Sequence, residues 1–96
     1  MDKFVYVIIE YTDSDDELSY ETYGVFDNIT DARVAMVRRF DEKAAILTEQ
    51  YPNNVDDDNC GYDWQCISGE NYDSEGKFVY DIKIQKREVQ NDIKWI

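Results

Sequence analysis

Three stretches of the chain carry side chains able to do chemistry. DSDDE (13–17) and DDDN (56–59) supply hard oxygen donors of the kind that Ca²⁺ or Mg²⁺ takes. Asn71-Tyr-Asp73-Ser-Glu75-Gly76 resembles the first half of an EF-hand loop. The bidentate Glu that such a loop needs at its twelfth position is Ile82 here, and the segment lies between expected strands rather than helices, so no metal site is expected. Paired carboxylates can also act as general acid and base. Most of these sit on expected loops, and a small two-layer domain leaves little room for a deep cleft. The chain has no histidine, so Ser-His and Cys-His nucleophile pairs are impossible. It has no P-loop and no G-x-G-x-x-G to cradle a phosphate. Cys60 and Cys66 match no zinc-knuckle spacing and read as reduced thiols of a cytoplasmic protein. The expectation is a protein that is not an enzyme, with no catalytic residue, no metal and no cofactor.

The elements that must position these carboxylates follow from hydrophobic periodicity. Residues 3–11, KFVYVIIEY, are apolar on both faces and predict a strand inside its sheet. The polar stretch 12–17 predicts a hairpin to a second strand at 18–26, with Leu18, Tyr20 and Phe26 on one face and Ser19, Glu21 and Tyr23 on the other. A helix follows, with Thr30 as its N-cap and Ile29 and Val34 as a hydrophobic staple. Ala32, Met36, Phe40, Ala44 and Leu47 recur near a spacing of four and form its apolar stripe. Pro52 ends it. The stretch 53–59 reads as a second acidic loop, 62–69 as a third strand and 77–88 as a fourth, where Phe78, Tyr80, Ile82 and Ile84 alternate with polar neighbours. The predicted fold is α+β: one domain over 1–96, a two-layer ββαββ unit whose antiparallel four-stranded sheet carries one helix on one face. The apolar tail 90–96, with Ile93, Trp95 and Ile96, is expected to dock on that domain.

Charge narrows the function classes. The 22 acidic and 10 basic residues give a net charge of −12 over 96 residues, which disfavours direct binding to nucleic acid or to an anionic membrane. No apolar run approaches the roughly 18 residues of a membrane-spanning helix, and no signal peptide is recognisable. The acids are not spread evenly. Residues 4–32 and 44–76 contain no Lys or Arg, while the basic residues cluster on the helix and the last strand. Two base-free tracts point to an anionic binding surface able to compete for a cationic nucleic-acid channel, the device of small acidic inhibitors that act as nucleic-acid mimics. Eight tyrosines add the rigid, amphipathic side chains that interfaces favour.

The expected contact residues are Asp13, Asp15, Asp16, Glu17, Glu21, Asp56, Asp57 and Asp58, with Tyr20 and Tyr23 as anchors. The expected partner is a protein with a basic surface, a nuclease or other nucleic-acid-binding enzyme, met by a monomer or homodimer in a phage or bacterial anti-CRISPR, anti-restriction or nuclease-immunity setting. The alternative is a structural or oligomerisation module acting through a sheet edge or the C-terminal tail.

Overall fold

A computed structural model describes residues 3–15, 17–71 and 76–89. The fold is α+β, with one helix packed on a five-stranded antiparallel sheet. The strands are β1 (Lys3–Ser14), β2 (Leu18–Phe26), β3 (Asn53–Gly61), β4 (Trp64–Glu70) and β5 (Lys77–Val89), and the helix is α1 (Ile29–Gln50). The strand order is β2-β1-β5-β4-β3, so β1 lies inside the sheet, as its two apolar faces require.

The expectation of four strands in a ββαββ order is corrected to five in ββαβββ, because the acidic stretch 53–59 belongs to a strand. Asp and Asn are poor strand formers because a half-buried pleated surface has no place for them. At the sheet edge that objection lapses. β3 needs backbone pairing with β4 alone, and its carboxylates reach water on both sides. β1 also runs past residue 11 to Ser14, which shortens the hairpin loop.

β2 leaves the sheet at one edge and β3 enters at the other, at the opposite end of the strands. Four strand spacings are about 19 Å and nine residues of strand about 30 Å, a diagonal of about 35 Å. The 22 residues of α1 rise about 33 Å and run from one corner to the other, packing on β1, β2, β4 and β5.

Its buried stripe is Ala32, Met36, Phe40 and Leu47, with Ala44 partly buried, as the spacing of four predicts. Beneath it lie Ile8, Ile67, Phe78, Tyr80 and Ile82. Phe40 stacks on Tyr80 with centroids 6.0 Å apart, and Tyr51 tilts against Phe78 at 5.4 Å. Gly69 lets these rings close: a Cβ there would stand 2.7 Å from both the Phe78 ring and the Tyr51 carbonyl oxygen.

Three local expectations change. The N-cap is Asn28, not Thr30. Its backbone is extended, its Oδ1 accepts from the Asp31 N–H at 2.8 Å and its Nδ2 donates to the Asp31 carboxylate at 2.8 Å. Ile29 and Thr30 are therefore the first helical residues, and Val34, more than half exposed, forms no staple with Ile29. Phe26 does not share a face with Leu18 and Tyr20. A bulge lets Thr22 pair with Ile9 and Gly24 with Ile8, so Tyr23 is the extra residue and the alternation shifts by one. Phe26 thereby reaches the core under α1. Tyr62, expected in the strand, lies in the turn before β4, with Arg33 over its ring. The tail 90–96 lies outside the described residues.

Candidate protein-binding surface

Residues paired across antiparallel strands share a face, and alternate residues change face. The register therefore sorts the acidic residues. Leu18, Asp13, Val79, Ser68 and Asp56 form one transverse row, and Tyr20, Tyr11, Asp81, Cys66 and Asp58 form another. Between them runs Ser19, Thr12, Tyr80, Ile67 and Asp57, whose central members are buried under α1. The first two rows thus lie on the sheet face away from the helix.

Of the expected contact residues, the structure brings Asp13, Tyr20, Asp56 and Asp58 onto this helix-free face. Asp56, Asp57 and Asp58 are all exposed along the outer strand β3. Asp15 is exposed in the hairpin turn, above an open depression that Asp13, Lys77 and Val79 also line. Asp16 lies outside the described residues. Glu17, Glu21, Tyr23 and Asp57 fall on the helix side. The ten residues therefore do not form one surface, because neighbouring residues of a strand cannot share a face.

The helix side is the side where charge is compensated. Arg39 pairs with Glu10 at 2.9 Å, Lys43 with Glu17 at 3.4 Å and, beyond the strand end, Arg33 with Asp63 at 2.7 Å. Tyr23 is a fold element here: its ring lies 4.8 Å from the Arg39 guanidinium carbon. Among the described residues, Asp13, Asp56, Asp57 and Asp58 enter no ion pair. Arg39 and Lys43 of the helix thus pair with Glu10 and Glu17 beneath and beside it, while Asp56, Asp57 and Asp58 on β3 and Asp13 on the helix-free face, which also carries Lys77 and Lys83, enter no ion pair among the described residues.

Sequence reading missed two members of that face, Trp64 and Asp81, and noted Tyr11 only as a tyrosine of the acidic tracts. Their signal was the alternation of 78–85, which sets Val79, Asp81 and Lys83 opposite the core residues Phe78, Tyr80 and Ile82. The indole N–H of Trp64 donates to Asp81 at 2.5 Å and holds that carboxylate against the sheet. Tyr11 and Tyr20 meet edge to face with centroids 6.4 Å apart, and the Tyr11 hydroxyl donates to Asp13 at 3.3 Å. Burial, reinforced by the Asp13 charge and hydrogen bond, raises the Tyr11 phenol above its ordinary value and keeps it a neutral donor. Ile9, Tyr11, Tyr20, Asp81 and Lys83 line a recess of about 140 Å³. Ligand pockets run from about 300 Å³ upward, so this one has room for a side chain rather than a small-molecule substrate.

The described residues include no group of three or more Cys, Asp or Glu side chains arranged to hold a metal ion, and no helix long and apolar enough to cross a membrane. The arrangement sets the carboxylates of Asp13, Asp56, Asp58 and Asp81 beside the rings of Tyr11, Tyr20 and Trp64 on one face of the sheet. Comparison of the chain with protein-family models, with curated proteins and with solved structures found no match.

Proposed function

We propose that this protein is a small acidic inhibitor that occupies the nucleic-acid channel of a basic enzyme by steric and electrostatic mimicry. The enzyme is a defence nuclease, restriction or CRISPR effector, or a toxin nuclease that the protein keeps silent.

The observation that carries this reading is Asp56-Asp57-Asp58 on an exposed edge strand. A strand rises about 3.3 Å per residue, close to the roughly 3.4 Å of helix axis that each phosphate of one B-DNA strand occupies. Successive Asp carboxylates alternate faces, as a ribbon of charge that a cationic channel can grip from both sides. Asp13, Asp58 and Asp81 extend the charge inward over the helix-free face, a span of about 14 Å from β1 to β3 at 4.8 Å per strand. Exposed Tyr20 and Trp64 supply the aromatic contacts that charge alone lacks. Inhibition by occlusion needs no catalytic group, in keeping with the expectation that the chain is not an enzyme.

The test is replacement of Asp56, Asp57 and Asp58 by Asn together. Affinity for the enzyme is expected to fall about tenfold or more, chiefly through slower association, and the salt dependence of binding to flatten. Unchanged affinity in the triple variant, together with indifference of the wild type to about 0.5 M salt, overturns the electrostatic mechanism.

A further inference from the structure

The two edges of the sheet are built differently. β3 carries three consecutive aspartates, and register irregularities interrupt its pairing with β4 at both ends. Such an edge repels a second strand of its own kind. β2 has no Lys, Arg or Pro and a single carboxylate, Glu21, within its nine residues, while Leu18 is 75%, Tyr20 66% and Val25 59% exposed.

The hairpin shows which backbone groups this edge presents. The Ser14 N–H donates to the Glu17 carbonyl at 2.7 Å, which makes Ser14 and Glu17 a hydrogen-bonded pair. Pair types alternate along an antiparallel ladder. Ser19 and Glu21 therefore bond to β1, and Leu18, Tyr20 and Thr22 turn their N–H and C=O groups away from it. Among the described residues no strand meets them. The bulge at Tyr23 comes only after this stretch.

We propose that the β2 edge pairs with β2 of a second copy of this chain, antiparallel about a two-fold axis at Tyr20. Tyr20 then faces its own copy, Leu18 faces Thr22, and Glu21 faces Ser19 rather than a second carboxylate. The product is a continuous ten-stranded sheet, within the range that twisted sheets reach. The register selects this occupant: β2 holds a single carboxylate, and a two-fold at Tyr20 sets it against Ser19, so the copy-to-copy ladder opposes no like charges within β2. The two-fold axis also sends the two β3 strands to the outer edges, nine spacings or about 43 Å apart, where their aspartates do not oppose one another at any ordinary ionic strength.

The inference is independent of the inhibitor reading and is tested on the purified chain alone. Sedimentation up to about 0.5 mM protein is expected to show a dimer that tightens as salt rises, because salt screens two copies that each carry −12. Tyr20→Pro deletes an outward N–H while sparing the β1 ladder, and Leu18→Lys/Thr22→Lys places like charges face to face. Both are expected to be monomeric, and Val55→Lys on β3 to remain dimeric. Loss of the dimer in the lysine variant would occur although its net charge is lower. A second measurement does not depend on variants that fold: amide exchange at Leu18, Tyr20 and Thr22 should slow in concentrated relative to dilute wild-type protein. A monomer at every salt concentration, a dimer that survives both β2 variants, or outward amides unprotected in the dimer overturns the proposal.

Discussion

Arg39 grips Glu10 through two parallel hydrogen bonds, Nε to Oε2 and Nη2 to Oε1, each 2.9 Å long. The Tyr80 hydroxyl donates to Oε2 at 2.8 Å from within the sheet, so the carboxylate has three donors while almost fully buried. This contact is the polar lock between the middle of α1 and the middle of the sheet. Arg39→Ala leaves that carboxylate buried with its strongest partner gone, and its cost is expected to be about 3 kcal/mol in urea melts. Arg39→Lys should recover little, because an ammonium lacks the bidentate fork. Tyr80→Phe should cost about 1–2 kcal/mol.

The same contact predicts the pH response. Burial pushes the Glu10 carboxyl up, but hydrogen bonds from Arg39 and Tyr80 and the charges of Arg39 and Lys43 outweigh it and hold the group below its ordinary value. A carboxyl depressed in the folded state stabilises above its unfolded value, about 4.3, and that stability is lost as pH falls through the folded value. Tyr80 acts at the other end of the scale. Burial and its hydrogen bond to the Glu10 carboxylate raise the phenol, so stability should fall once pH passes the unfolded value of about 10. Melting curves across pH should show a plateau between these limits. Glu10→Gln should shrink the acid limb while lowering the plateau.

The corrected helix start has its own check. Asn28→Ala should cost about 1 kcal/mol, because the Asp31 N–H loses its acceptor, whereas Thr30→Ala should stay within about 0.5 kcal/mol. The reverse ranking in thermal melts would return the cap to Thr30.

Neutralising the edge strand should separate binding from stability. Asp56, Asp57 and Asp58 are exposed and enter no ion pair among the described residues, so replacing all three with Asn removes mutual repulsion and breaks no ion pair among those residues. The variant should melt at or slightly above the wild-type temperature in low salt, with the difference vanishing in high salt. A large loss of stability would mean that the carboxylates hold the strand in place.

Periodicity made much of the fold legible before any coordinates. The stripe Ala32, Met36, Phe40 and Leu47 required one apolar helix face, and the alternation Phe78, Tyr80, Ile82 required one buried strand face. Both patterns are set by burial, which the residue types themselves record. β3 was illegible for the opposite reason: an edge strand wetted on both sides leaves no apolar alternation, and its partner β4 is defined only by the tertiary fold. Phe26 was misplaced because the bulge at Tyr23 shifts the alternation by one, and the single residue that marks it is the neighbouring Gly24. For the site, sequence found the acids but not their sorting. Asp57 and Asp58 are neighbours in the chain yet lie on opposite faces, and Glu17, chosen as a contact, is paired with Lys43 from the helix.

Whether the β3 carboxylates and the helix-free face stand in for nucleic acid is tested by capture of a basic enzyme from bacterial lysate on the immobilised protein, followed by challenge with duplex DNA. A nucleic-acid-handling enzyme should be retained at low salt, duplex DNA should displace it stoichiometrically, and the Asp56→Asn/Asp57→Asn/Asp58→Asn variant should fail to retain it. Retention that DNA does not compete with, and that the triple variant preserves, would rule out nucleic-acid mimicry.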